Sequence, residues 1–176
     1  MYLKLKKIKG IEYAYLVSQS YNKKRKKTRQ KNNYYLGKVI QFDRSTNLDF
    51  NTSIKGSIHD FISEHSQRQI FGALIHHELI NHGFKWDLKK EFLVKGNLYI
   101  TKGCKKFKDI NNNSKFCLEI NDGFLSSHSI DTLLSPLPLI EDQVQGGNIL
   151  AKRLRSEGLN PSTELFISLF KKIVDS

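Results

Sequence analysis

The fold of this chain is set by residues 2–21, which read YLKLKKIKGIEYAYLVSQSY. Apolar and basic residues alternate in the first half of this stretch, and two tyrosines lie two positions apart in the second half. A period of two is typical of β-strands, whose successive side chains point to opposite faces. The glycine between the halves favours a turn. We therefore predict two strands, with Leu3 and Leu5 on one face of the first and Lys4 and Lys6 on the other.

A third strand is predicted over residues 28–39, after the five consecutive basic residues Lys23–Lys27. The second and third strands then form a β-ribbon with a basic tip, and the first strand widens it into a sheet of stable size. The sequence thus predicts a small, basic, three-stranded antiparallel β module over residues 1–40.

The remainder of the chain is predicted to be a connector, residues 41–56, and a mixed, mainly helical body, residues 57–176, which makes the whole chain an α+β protein. The connector is rich in turn-forming residues and has no apolar period. Helices are predicted over 57–82, over 147–157, and from Asn160-Pro161 onward, with Asn160 as N-cap. The pair Gly146-Gly147 is expected to lie in a loop before the second of these helices.

Positive charge is concentrated at the N-terminus. The first 38 residues contain 12 Lys and Arg but a single acid, Glu12, so they carry +11 of the net charge of +12. A field of this strength attracts a polyanion, because each neutralised phosphate releases counterions. Five tyrosines are interleaved with the charge, and we expect half of them to lie in the sheet core.

These patterns predict a nucleic-acid-binding protein that contacts phosphates through its basic β-ribbon. Duplex DNA is favoured over RNA, because a two-stranded ribbon fits the DNA major groove and is excluded from that of A-form RNA. The alternative is an RNA-binding role, as a ribonucleoprotein or ribosome-associated component. The predicted binding residues are Lys4, Lys6, Lys7, Lys9, Lys23, Lys24, Arg25, Lys26, Lys27, Arg29, Lys31, Tyr35 and Lys38.

Part of this region also has a family resemblance, carried by the runs Lys6-Lys7-Ile8-Lys9-Gly10, Tyr13-x-Tyr15-Leu16-Val17, Thr28-Arg29-Gln30-Lys31 and Tyr35-Leu36-Gly37-Lys38-Val39. It resembles the N-terminal segment of some insertion-sequence DDE transposases. The resemblance implies a small β-rich element that precedes a functional domain and touches DNA. A transposase also needs three catalytic carboxylates in a ribonuclease-H-like domain of several hundred residues, and the part of this sequence after Val39 is too short for one. The resemblance therefore implies the front module and not the reaction.

Five of the six histidines lie between His59 and His82, and His77 to His82 nearly forms the helix motif of zinc proteases. In that motif two histidines four apart face one metal ion. Here they are five apart, which rotates the second by about 140° around the helix, and Asn81 occupies the required position. We expect these histidines to cap or line a helix, with no metal and no cofactor.

A metal-dependent nuclease is the further alternative. Such a site pairs an acid with a Glu-x-Lys on an adjacent strand, so that two carboxylates hold Mg²⁺ and the lysine supports the attacking water. No candidate acid completes this pattern, and the chain is not predicted to be an enzyme. The candidates are Glu78, Asp87, Glu91, Glu119 and Asp122.

The remaining predictions concern location and partners. Cys104 and Cys117 form no CxxC motif, which favours reduced thiols in a cytoplasmic protein. No apolar run is long enough to span a membrane and the N-terminus lacks an apolar signal region, so neither a membrane span nor a signal peptide is expected. The apolar residues Leu165, Phe166, Leu169 and Phe170 could bind a protein partner through the body, but a place in the core is favoured.

Overall fold

The computed structural model of the chain describes residues 2–22, 27–135 and 143–174, and for residues 22, 27–32 and 143 it describes the backbone alone. The predicted basic tip residues Lys23, Lys24, Arg25 and Lys26 lie outside the described residues. The described part contains both strands and helices, which confirms the predicted α+β class.

The strands, in chain order, are β1 (Tyr2–Ile8), β2 (Ile11–Asn22), β3 (Lys27–Gln41), β4 (Lys85–Asp87), β5 (Phe92–Lys95), β6 (Leu98–Thr101), β7 (Phe107–Asp109), β8 (Phe116–Ile120) and β9 (Gly123–Leu125). The helices are α1 (Ile58–Glu64), α2 (Gln67–Asn81), α3 (Ser129–Leu133), α4 (Gln143–Ser156) and α5 (Thr163–Val174). A first sheet has the order β1-β2-β3-β8-β9, and a second, antiparallel sheet has the order β4-β5-β6-β7.

The prediction of a three-stranded module is wrong, because the first sheet continues from β3 into β8 and β9. Strands β3 and β8 are parallel, with Lys38 opposite Phe116. This contact depends on Gly37, whose φ is +136° and whose Cβ, if present, would overlap the backbone of Lys115 and Phe116. A residue without a side chain therefore lets the two backbones approach, and the sequence pattern of strands gives no sign of this long-range parallel pairing.

The two faces of the first sheet are packed differently. On one face Phe116, Leu118 and Ile120 enter the main core, which also takes buried residues from the second sheet and from each of the helices α1 to α5. On the other face a small cluster surrounds Ala14 and Cys117, and every residue of that cluster belongs to the sheet itself. The helical body therefore covers one face of the first sheet at its β8–β9 end.

The predicted helix over 57–82 is present as two helices, α1 and α2. Ser66 begins α2 with a capping box, since its hydroxyl accepts from the N–H of Gln69 and the side chain of Gln69 accepts from the N–H of Ser66. Gly83 follows α2 with a φ of +82°, as a C-terminal glycine does. Of the helices that the structure describes, α2 supplies the largest set of buried residues to the main core.

Two helix boundaries differ from the predictions. Gly146 and Gly147 lie inside α4 rather than in a loop before it, and the missing side chain of Gly146 leaves room for the ring of Phe170 on α5. Helix α5 begins at Thr163 and not at Pro161. The hydroxyl of Ser162 accepts from the N–H of Leu165 at 3.3 Å, so a serine takes the capping role expected of Asn160.

Candidate nucleic-acid interface

The register of β1, β2 and β3 brings lysines and tyrosines together on one face of the first sheet. Residues directly opposite each other on neighbouring strands share a face. Two rows cross the three strands in this way, and they are Lys6–Tyr13–Lys38 and Lys4–Tyr15–Tyr35. We name these six residues the tyrosine–lysine face.

The positive charge of this face is exposed, and residues 2–38 place no acid on the same face. Lys4, Lys6 and Lys38 are all exposed, and the ammonium of Lys6 lies 5.0 Å from the centre of the Tyr15 ring. Glu12, the one acid of the first 38 residues, lies opposite Lys7 and therefore on the other face of the sheet. The tyrosine–lysine face is thus suited to bind an anion.

The three tyrosine rings form a cluster without stacking face to face. The Tyr35 ring centre lies 6.3 Å from that of Tyr13 and 5.4 Å from that of Tyr15, with the planes tilted by 42° and 50°. Tyr35 is 38% exposed. Partial burial raises the pKa of Tyr35, and the neighbouring Tyr13 and Tyr15 raise it further. Its hydroxyl therefore stays protonated at neutral pH and can donate a hydrogen bond.

The expectation that half of the five tyrosines lie in the sheet core is wrong. All five are exposed or half-buried, namely Tyr13, Tyr15, Tyr21, Tyr34 and Tyr35. The apolar residues of the opposite face supply the local cluster instead, so the sheet needs no tyrosine for its core.

Sequence reasoning named Tyr35 as a binding residue but missed Tyr13 and Tyr15. A signal for them was present in the turn at Lys9-Gly10, where both residues have positive φ, as a two-residue hairpin turn requires. A two-residue turn fixes the pairing of the strands it joins. Tyr13 must then lie opposite Lys6, as the structure shows.

Not all of the predicted binding residues join this face. Lys7 lies on the opposite face of the sheet, and Lys9 lies in the turn between β1 and β2. Lys27 and Arg29 belong to β3, where they are paired with Asn22 and Ser20, and Lys31 falls at a register shift of the same strand. The predicted set is therefore divided between the tyrosine–lysine face, the opposite face and the distal part of β3.

The distal parts of β2 and β3 extend beyond β1 as a two-stranded ribbon. Strand β1 pairs with β2 only as far as Val17, which lies opposite Tyr2. Residues 18–22 of β2 pair with residues 27–32 of β3 and with no other described strand. We name residues 18–22 and 27–32 the arm. Five residues of β-strand span about 17 Å, so the arm projects well past the rest of the sheet. A register shift between Ser18 and Gln19 marks its base.

The helical histidines are engaged in separate hydrogen bonds. The side-chain amide of Asn81 donates to Nε2 of His77 at 3.0 Å, so Nδ1 carries the proton and donates to Ser53 Oγ at 2.8 Å. Nδ1 of His82 donates to the carbonyl oxygen of Glu78 at 2.8 Å. Asn81 thus stands where a zinc helix has its second histidine, and it hydrogen-bonds the first one.

Glu78 is buried, and its contacts are structural. One carboxylate oxygen accepts from Arg44 Nη2 at 3.3 Å, and the other accepts from Asn121 Nδ2 at 3.1 Å. A cation and an amide thereby offset the cost of burying the charge. The carboxylate ties the segment after β3 and the β8–β9 turn to α2.

The other nuclease candidates lie in three different settings. Asp87 accepts from two backbone N–H groups of its own turn, and Glu91 forms a surface ion pair with Lys102 at 3.7 Å. Glu119 and Asp122 line a polar cavity of about 230 Å³. Within residues 2–22, 27–135 and 143–174, no cluster of three His, Cys, Asp or Glu side chains could hold a metal ion.

Both cysteines are free and buried, Cys104 in the main core and Cys117 in the small cluster. Burial raises the pKa of each thiol to about 12, so both stay protonated. Among the helices that the structure describes, none combines the length and the apolar character needed to cross a membrane.

A second concave region lies between α2 and the second sheet. This cleft has a volume of about 500 Å³ and a largely apolar lining that includes Gly72, Trp86 and Leu93. The ring of His76 lies edge-on to that of Trp86, with 5.4 Å between the ring centres. Burial lowers the pKa of His76, and its Nε2 has no hydrogen-bond partner among the described residues. The cleft belongs to the body and not to the basic strands.

Comparisons of the chain with known protein families, with curated protein sequences and with solved structures found no match.

Proposed function

We propose that this chain binds nucleic acid through the tyrosine–lysine face and the arm. The observation that carries the proposal is the pair of cross-strand rows, Lys6–Tyr13–Lys38 and Lys4–Tyr15–Tyr35. They place three ammonium groups beside three aromatic rings on one open face. Ammonium groups bind phosphates, and aromatic rings bind sugars and bases.

The distribution of charge supports the same proposal. Residues 1–38 carry +11, and the rest of the chain carries +1. A charged surface that served only to prevent aggregation would need mixed charge spread over the molecule. Concentration of the charge in one N-terminal segment is what a polyanion partner requires.

Duplex DNA is the polymer that the arm favours. A two-stranded β-ribbon fits the DNA major groove, which is about 12 Å wide, whereas the major groove of A-form RNA is too narrow. The arm has two strands and projects past the sheet. The resemblance of residues 6–39 to the N-terminal segment of some transposases also implies contact with DNA.

The test is a salt titration of the binding of the full chain to duplex DNA. If roughly 5–8 phosphates are contacted, the logarithm of the affinity falls with the logarithm of salt concentration at a slope of about −5 to −7. In the variant Lys4→Gln/Lys6→Gln/Lys38→Gln we expect the slope to become shallower by about 2–3, because each lost phosphate contact removes about 0.9.

A matched control removes the same charge from the second sheet. Lys85, Lys89 and Lys90 are exposed there, and their replacement by Gln leaves the slope unchanged if the account is right. If the slope became shallower by the same amount in both triple variants, net charge and not the tyrosine–lysine face would drive binding. A slope near zero for the unaltered chain would contradict nucleic-acid binding itself.

Binding to folded RNA is the second candidate, and the cluster of the exposed Tyr35 ring with the half-buried rings of Tyr13 and Tyr15 favours it. Sequence-specific RNA recognition mostly uses unpaired bases stacked on aromatic side chains. The same titration with a folded RNA decides between the two. Tighter binding to the RNA than to duplex DNA at equal salt would select the ribonucleoprotein role.

A further inference from the structure

We infer that the tyrosine–lysine face takes unpaired bases, so that the preferred substrate is a duplex with a single-stranded extension. This inference rests on the proposed nucleic-acid binding and goes beyond it by naming the substrate class. It assigns the duplex to the arm and to the lysines of the face, and the unpaired bases of the extension to the three tyrosines at the base of the arm.

The rings are presented in a way that suits stacking. Tyr35 is tilted by 42° against Tyr13 and by 50° against Tyr15, so no ring covers another face to face. Every base has a π-face, and stacking on aromatic side chains is a main source of affinity for single strands. The pKa of Tyr35 is raised, which keeps the ring neutral and its hydroxyl available as a donor.

Phosphate-binding groups lie within the same two rows. The ammonium of Lys6 lies 5.0 Å from the centre of the Tyr15 ring, and Lys38 lies opposite Tyr13. The rows are two positions apart along β1 and β2, which is about 7 Å. A base on Tyr35 would therefore have ammonium groups close by for its backbone.

The size of the face also favours a single strand. Three strands span about 10 Å between the outer two. On one side of the face Lys38 adjoins Phe116, which is 1% exposed because the body covers it. The body thus borders the face along β8 and leaves the arm to project freely. The arm can therefore enter a groove of the duplex, while the bordered face has room for a single strand beside the tyrosines.

Tyr15 lies close to the start of the arm. Three positions separate it from Ser18, and seven separate it from Asn22 at the distal end, a distance of about 23 Å. Tyr21, 61% exposed, lies within the arm itself. A substrate held by the arm can therefore pass its unpaired end directly onto the tyrosines.

The experiment measures the binding of the full chain to two probes at one salt concentration. One probe is a blunt 12-base-pair DNA duplex, and the other is the same duplex with a six-nucleotide single-stranded extension. We expect the second probe to bind at least about fivefold more tightly, the smallest effect expected of one stacked base. Equal affinity for the two probes would overturn the inference and leave the proposed function standing.

Single variants of Tyr35 test the role of the ring. Tyr35→Leu should remove most of the preference for the extended probe, measured as the ratio of the two affinities. Tyr35→Phe keeps the ring and should retain the preference. Tyr35→Leu could leave the preference intact while the triple lysine variant lowers the affinity for both probes. That result would overturn the stacking inference and still support nucleic-acid binding.

A measurement on the unaltered chain avoids any dependence on variants. With 2-aminopurine placed in the extension, stacking on a tyrosine should quench its fluorescence on binding, and the same base placed within the duplex should change little. Quenching confined to the duplex position would overturn the inference. If the chain bound neither probe, both the proposed function and the inference would be overturned.

Discussion

The first sheet has one face with two unlike ends. At the β8–β9 end this face carries Phe116, Leu118 and Ile120, all buried under the helical body. At the β1–β3 end the same face carries the lysines and tyrosines of the tyrosine–lysine face. The change takes place between two neighbouring residues, Lys38 on β3 and Phe116 on β8.

This difference shows how one sheet can both contribute to a core and expose a charged surface. The covered end supplies a two-layer core, which a sheet needs because one of its faces must be buried. The open end can then present charge, because its stability is supplied by the sheet hydrogen bonds and by the small cluster on the other face. The contact between β3 and β8 joins the two ends, so substitutions at this contact and in the body that covers one end should change the stability of the chain.

The largest effect on stability is expected at the contact between β3 and β8. Gly37→Ala would place a Cβ within 2.5 Å of backbone atoms of Lys115 and Phe116, at a φ of +136° that disfavours any side chain. Backbone cannot move aside as a side chain can, so we expect a loss of about 3 kcal/mol or more in the free energy of unfolding. Urea denaturation followed by circular dichroism measures it. A loss below about 1 kcal/mol would mean that β3 and β8 are not held this closely.

The next effect concerns a buried charge at the covered end. Glu157 is 8% exposed, and burial raises the pKa of its carboxyl from 4.5 to about 7 despite hydrogen bonds from Ser129 and Thr132. Between pH 4.5 and 7 the folded chain holds a proton that the unfolded chain releases. The free energy of unfolding therefore falls as pH rises through this window and stays low above it.

Glu157→Gln should remove this dependence. We expect the variant to exceed the unaltered chain in stability by about 3 kcal/mol at pH 8 and to match it at pH values below the window. The difference between the two proteins isolates Glu157 from His76 and His77, whose pKa values burial lowers. Thermal unfolding at a series of pH values gives the result. A constant difference at all pH values would show that the carboxylate is not destabilised by burial.

The smallest effect is a gain in stability in the body. Gly72 lies in the middle of α2, where a Cβ would have no atom within 4 Å. Gly72→Ala should therefore stabilise the chain by about 1 kcal/mol through helix propensity alone. It is also the matched control for Gly37→Ala, since the same methyl group is added with the opposite sign of effect. Destabilisation by Gly72→Ala would mean that the wall of the cleft is more crowded than the structure indicates.

Local patterns allowed part of this structure to be predicted. The alternation in residues 2–21 and the turn at Lys9-Gly10 predict β1 and β2, and the turn fixes which lysine lies opposite which tyrosine. The apolar stripe over 57–82 predicts α1 and α2. These elements depend on residues close together in the chain, which is where sequence patterns carry their information.

The part of the candidate site that lies on β3 depends on residues that are far apart in the chain. Tyr35 and Lys38 reach the rows through a β3 register that shifts twice, between Ala14 and Tyr15 and again at the base of the arm. Such shifts leave no mark in a period of two. Strands β4, β5 and β7 of the second sheet have three or four residues each, which is too short for an alternation to stand out. The parallel pairing of β3 with β8 at Gly37 links segments that lie far apart in the chain, so the local sequence gives no sign of it.

The most direct test of the central claim, that the open end of the first sheet binds nucleic acid, is amide chemical-shift mapping on the full chain. Duplex DNA with a single-stranded extension is titrated into labelled protein, and the shifted amides are assigned. We predict that the changes are concentrated in β1, β2 and β3, with the largest at Tyr13, Tyr15 and Tyr35. Changes concentrated instead around Arg68, Trp86 and Lys102, in the cleft between α2 and the second sheet, would contradict it.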